Sequence, residues 1–135
     1  MSAHFSFAID PARGLIRIAM AGLFLPADVA AFLEARREAH AALGWPRNSH
    51  VTLNDVTAMK IQPQMTVEAF HAILADPAYR SRRLAFVVTP TLAKHQLMRA
   101  LDARDARCFA DAAGAEAWLF EEQGEADVLP FRRVA

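Results

Sequence analysis

Residues 50–70, HVTLNDVTAMKIQPQMTVEAF, constrain the fold more than any other stretch of this chain. Val51 and Leu53 alternate with Thr52 and Asn54, which reads as a strand over 51–54. A loop carrying Asp55, Met59 and Lys60 follows, and a helix over about 63–75 is entered through Gln62-Pro63. A strand that hands over to a helix sets the intervening loop at the carboxyl end of a sheet, where open α/β folds bind their ligands. Val67, Phe70, Ile73 and Leu74 share the inward stripe of that helix, and Asp76-Pro77 closes it, because the residue before proline is disfavoured in helical conformation.

The flanking segments fix what surrounds this unit. Residues 4–9 and 15–20 alternate apolar with polar or small residues, and Asp10-Pro11-Ala12-Arg13-Gly14 between them has the chemistry of a tight turn, so a β-hairpin is expected. A helix is expected over 26–43: Pro26 suits its first position, Asp28 its first turn, and Gly44 then Pro46 its end. Its stripe is Val29, Phe32, Leu33, Arg36, His40 and Leu43, with Trp45 folding back onto the core. Residues 84–88, LAFVV, read as a strand, and Thr89-Pro90 as the start of a helix to about 101. A short strand at 107–109 and a last helix capped by Asp111, with Ala115, Trp118 and Leu119 inward, complete an order β-β-α-β-α-β-α-β-α. Strand–helix–strand alternation implies right-handed crossovers and a mostly parallel sheet with an N-terminal hairpin. Because the first three strands alternate instead of running apolar throughout, helices are expected mainly on one face, with the second face partly polar and open.

Composition narrows the function classes. At 135 residues, 54% hydrophobic and 22% charged, the chain suits one folded domain over 1–120 with a polar tail at 121–135. A net charge of zero removes any general attraction to nucleic acid or anionic membrane. No apolar run approaches a membrane span, and residues 1–10 lack the pattern of a secretory signal. Cys108 stands alone, so no disulfide or cysteine-rich metal site is expected. A cytoplasmic location follows by elimination. The excess of arginine over lysine and the abundance of alanine point to a GC-rich bacterial source.

With that order in place, the chain resembles the SpoIIAA-like, or STAS, family, whose founding members are anti-sigma-factor antagonists. The resemblance spans residues 5–120 and rests on the hairpin, VTLNDV leading into loop and helix, LAFVV before Thr89-Pro90, and ARCFADAAGAEAWLF. It implies a non-enzymatic regulatory module that works through a protein partner or through self-association as a homodimer. In the antagonists the loop after the third strand carries an Asp-Ser-Ser-Gly-type motif with a phosphorylatable hydroxyl at the start of the second helix. The matching positions here are Lys60-Ile61-Gln62-Pro63-Gln64, without a hydroxyl, and Thr57 and Thr66 only flank them. The phosphosite is therefore not carried over. Looser members of the family are akin to the lipid-binding CRAL-TRIO fold, which implies a small apolar ligand as the alternative.

The expected binding residues are Phe24, Asp55, Met59, Lys60, Ile61, Gln62 and Gln64. Phe24, Met59 and Ile61 are expected at the surface, since loops run over it. An apolar ligand would be held near Met20, Phe24, Met59, Ile61 and Met65, where methionine supplies an adaptable lining. Asp55 and Lys60 could exchange protons only if a third group oriented them, and the sequence offers none, so Asp55 is read as closing a turn and no catalytic residue is assigned. His4, His40, His50, His71 and His95 show no metal-ligand spacing, and no phosphate loop or other cofactor motif occurs, so neither metal nor cofactor is expected. Arg80, Arg82 and Arg83 read as a solvated basic connector.

Overall fold

The hairpin forms where alternation and turn chemistry agree. β1 (His4–Asp10) and β2 (Leu15–Gly22) pair antiparallel from His4 opposite Ala21 to Asp10 opposite Leu15. Gly14 closes the turn at φ +64° with the Trp45 ring against it, leaving no room for a Cβ. Trp45 Nε1 donates to the Pro11 carbonyl at 2.9 Å, so this residue seals the hairpin turn and does not enter the core. α1 (Pro26–Leu43) has the expected limits, with Asp28 accepting from the Leu25 N–H at 2.9 Å and Gly44 left-handed at its end. Its buried face is Phe32, Arg36, Ala39 and Leu43, whereas Leu33 lies on the exposed side.

β3 (Val51–Met59) runs well past the expected 51–54, so Asp55 and Met59 belong to the strand and not to the loop after it. The extension exists because β2 also continues to Gly22 and pairs with Ala58 and Met59 after a register shift between Ala19 and Ala21. α2 (Gln64–Ala75) follows, then a single 3-10 turn (Pro77–Tyr79) and β4 (Arg83–Val87). Arg83, expected in the basic connector, is a buried strand residue that donates to the Trp118 carbonyl and stacks on that indole. β5 (Ala106–Phe109) and α3 (Ala112–Leu119) follow, with Asp111 accepting from the Gly114 N–H at 2.7 Å.

The strands order β1-β2-β3-β4-β5, antiparallel at the hairpin and parallel elsewhere. The computed structural model describes residues 2–89 and 106–121; most of the helix expected over 89–101, and the tail from 122 on, lie outside them. Among the described helices, α1 and α2 cover one face over Ile16, Ile18, Met20, Val56, Leu84 and Phe86. α3 covers part of the other, over Leu15, Val51, Leu53, Ala85 and Val87. Glu116 on α3 anchors it to the hairpin through Arg13 at 2.8 Å and Arg17 at 2.5 Å. Ser6, Ala8, Ala19, Thr57 and Ala58 are exposed on the strands and make a surface of small, partly polar side chains. No helix among the described residues is long and apolar enough to cross a membrane.

Candidate functional site

The carboxyl ends of β2 and β3 carry two loops, 23–25 into α1 and 60–63 into α2, that are tied together by side chains from the second. Gln62 is buried and reaches across: its Oε1 accepts from the Phe24 N–H at 2.8 Å, and its Nε2 donates to the carbonyls of Gly22, at 2.9 Å, and Lys60. Thr66, one turn into α2, donates its hydroxyl to the Phe24 carbonyl at 2.9 Å. Both backbone groups of Phe24 are therefore satisfied by side chains that start α2. Its ring is fully buried and meets Phe70 at 5.6 Å, Phe5 at 6.3 Å and Phe32 at 6.5 Å. Phe24, expected at the surface, is instead the plug under the rim. A loop residue with no unsatisfied polar group can go inside.

What the rim presents to solvent is apolar. Leu25 is 54% exposed, Ile61 57% and Met65 69%, one on each loop and one in the first turn of α2. Lys60 and Gln64 are exposed beside them, Gln64 reaching only Glu68 at 3.4 Å. Asp55 does not join this group. Its carboxylate accepts from Thr57, at 3.0 Å from the N–H and 2.7 Å from the hydroxyl, on the opposite side of the strand from Val56. Among the described residues no ion pair links Asp55 to Lys60, and the local bonding is that of a side chain closing a strand. Of the seven expected site residues, the rim unites Lys60, Ile61, Gln62 and Gln64, with Phe24 beneath them.

Met59 belongs to a second feature, a partly open cavity of about 110 Å³ lined by the sheet, α1 and α2. The pocket expected near Met20, Phe24, Met59, Ile61 and Met65 shares only Met20 and Met59 with it, because Phe24 is packed away and Ile61 and Met65 face outward. Its upper part is apolar, with Met20, Phe32, Val67 and Phe70; its lower part holds Arg36, His40, His71, Asp76 and Tyr79. β3 rises while α2 descends, so early strand residues oppose late helix residues, which is how Thr52 and Asn54 come to face this polar end.

The polar end is a packed stack. Arg36 donates to the Ile73 carbonyl at 3.0 Å, approaches Asp76 at 3.4 Å and lies 4.1 Å over the Tyr79 ring. His40 meets Tyr79 edge-on at 4.9 Å and His50 at 4.8 Å. Burial first, and then the His50 and Arg36 charges, push the His40 imidazole down to about 4, and burial lowers His50 in the same sense. Sequence spacing did not bring these histidines together, since they lie on α1 and at the start of β3, and only the crossover joins them.

No family model and no curated protein matches the sequence. Solved structures match it over most of the chain. One is an uncharacterized protein of the DUF3478 family with a SpoIIAA-like fold, from Shewanella loihica PV-4, at TM-score 0.66 and 13% identity, covering 87% of this chain and 93% of that one. The fold is SpoIIAA-like. Another is an anti-sigma factor antagonist from Mycobacterium paratuberculosis, at TM-score 0.59 and 10% identity, covering 89% and 96%. At these identities the likeness speaks to architecture. On this SpoIIAA-like frame, the first hydroxyl in α2 is Thr66, buried and engaged with Phe24, and the exposed Thr57 hydroxyl is held by Asp55.

Proposed function

We propose that this chain is a non-enzymatic, STAS-like regulatory module of the bacterial cytoplasm, one domain over residues 1–120, that binds a protein through the rim of its two loops. The observation that carries this reading is the exposure of Leu25, Ile61 and Met65 on a rim held by Gln62 and Thr66. Three large apolar side chains on adjacent segments are an unusual thing to leave in water, and a pre-ordered apolar patch loses little entropy on docking. A fold neighbour is an anti-sigma factor antagonist, which supports a protein as the ligand of this surface. The partner is a different protein or a second copy of this chain. Recognition works without a phosphoryl group, because residues 60–64 offer no acceptor and Thr66 is inaccessible.

The test is the triple variant Leu25→Ser, Ile61→Ser, Met65→Ser, compared with the wild type by light scattering after size exclusion and by crosslinking in the native host. Wild-type protein is expected to form a dimer or a defined complex that the variant loses, with unfolding midpoints in urea unchanged. An assembly that survives the triple variant, or wild-type protein that is monomeric and uncrosslinked, would refute the assignment.

A further inference from the structure

Asn54 occupies an improbable place. Across the sheet its row reads Phe7, Ile18, Asn54, Phe86, Cys108, one amide in an otherwise apolar line. The residue is 7% exposed, lines the cavity under α2, and its Oδ1 has no hydrogen-bond partner within the protein among the described residues. His71 Nε2, from α2 across the same space, is likewise buried without a partner, as is Nε of Arg36. Native proteins seldom leave buried polar atoms unpaired, and three lining one cavity mark a place where something else supplies the bonds.

We propose that this cavity binds a small, neutral molecule with an apolar body and a hydroxyl head, no larger than about phenol. The volume of about 110 Å³ is below that of engineered cavities of about 150 Å³ that take up benzene, so a single ring is the upper bound and enters only where the lining yields. Met20 and Met59 at the apolar end give the lining some adaptability. The head follows from the unpaired atoms. Asn54 Oδ1 needs a donor, whereas Arg36 Nε carries a proton and His71 Nε2 bonds as donor or acceptor according to its tautomer. A hydroxyl donates to the first and accepts from either of the others, which a carboxylate cannot do. Neutrality follows from Arg36, whose two other nitrogens are already engaged with Ile73 and Asp76. The body lies along Phe70, Phe32 and Val67, and the head points down toward Asn54 and His71.

The probes are phenol, toluene of the same shape without the head, and benzoate. Each is titrated into the full chain and followed by amide chemical shifts and by calorimetry. Phenol is expected to saturate with shifts centred on Asn54 and His71, and toluene to bind about tenfold or more weakly, since it leaves Asn54 Oδ1 unpaired. Benzoate is expected to be weaker than phenol. Asn54→Leu should bring the phenol and toluene affinities together, and Val67→Phe should exclude both. Should Asn54→Leu fail to fold, the wild-type phenol-to-toluene ratio decides by itself. Toluene equal to phenol, phenol binding that survives Val67→Phe, or no saturation by any probe (a cavity that holds only water) would overturn the proposal. None of these outcomes depends on the rim, which Leu25, Ile61 and Met65 test separately.

Discussion

Replacing Gln62 by methionine tests whether the rim is held by hydrogen bonds or by packing. The substitution nearly preserves length and volume, so the loss falls on the bonds. Among the described bonds three backbone partners are affected, but not equally. The Gly22 carbonyl also accepts from the Lys60 N–H at 3.0 Å and stays satisfied. The Lys60 carbonyl belongs to an exposed residue and can turn to water. The Phe24 N–H is sealed under the rim and loses the Gln62 oxygen with nothing described to replace it. An orphaned buried donor costs about 1–3 kcal/mol and the one bond that must turn to water about 0.5–1.5 kcal/mol, so Gln62→Met should destabilise the fold by roughly 2–4 kcal/mol. With an unfolding entropy near 2.1 cal/mol/K per residue, a chain of 135 residues loses about 3.5 °C of Tm per kcal/mol, a fall of roughly 7–14 °C. Thermal and urea unfolding followed by circular dichroism measure this, with Gln64→Met as the exposed control expected within about 0.5 kcal/mol. A Gln62→Met protein as stable as that control would mean that the Phe24 plug holds the loops unaided.

Two further expectations follow from the geometry. Burial holds His40 at about 4 against an ordinary 6.5, so between those values the unfolded chain takes up a proton that the folded one refuses. Stability should be full above about pH 6.5 and fall toward pH 4; after discounting for the partial exposure of the ring, the loss is on the order of 1–2 kcal/mol, and urea midpoints of His40→Phe should flatten across that window. Gly22 and Gly44 are both left-handed, but a Cβ on Gly22 would lie 2.2 Å from the Ser2 carbonyl oxygen while one on Gly44 meets nothing. Gly44→Ala should therefore cost only the backbone term of about 1–2 kcal/mol, and Gly22→Ala markedly more; equal midpoints for the two would contradict the contact.

The sequence carried α1 to the residue because Pro26, Asp28 and Gly44 are local signals that act through the backbone itself. β3 outruns the expected 51–54 for the opposite reason. Asp55 and Ala58 are poor strand formers, and what keeps them extended is pairing with a neighbour whose register shifts at Ala19, a tertiary fact. The same strand misleads about faces. Alternation marks Val51 and Leu53 as inward, and they are, under α3; Thr52 and Asn54 are just as buried, on the face covered by α2. Two-sided burial of an alternating strand leaves its polar set inside. The rim is legible in part: Lys60, Ile61, Gln62 and Gln64 lie in the expected stretch between β3 and α2, but Gln62 is buried there as the clamp, a role that depends on Phe24 and Gly22 from a distant segment. Met65 and Leu25 are exposed because the clamp turns them outward, and no periodicity encodes that.

α2 connects the two features. Its one buried residue is Thr66, and its apolar stripe of Val67, Phe70, Ile73 and Leu74 is half-buried against the cavity, whereas α1 buries Phe32, Ala39 and Leu43. A helix packed this lightly would be free to shift if apolar burial were all that fixed it. It is fixed at its ends instead. Gln62 and Thr66 bind the start to the rim, and the Ile73 carbonyl and Asp76 bind the last turn to Arg36. Polar fastening at both ends is what allows the middle to stand off the sheet and leave a space beside Asn54 without collapse, since closing that space would require stretching one fastening or the other. The rim patch and the cavity therefore belong to one arrangement of the same helix, and a substitution that lets α2 settle onto the sheet would fill the cavity and move Met65 together.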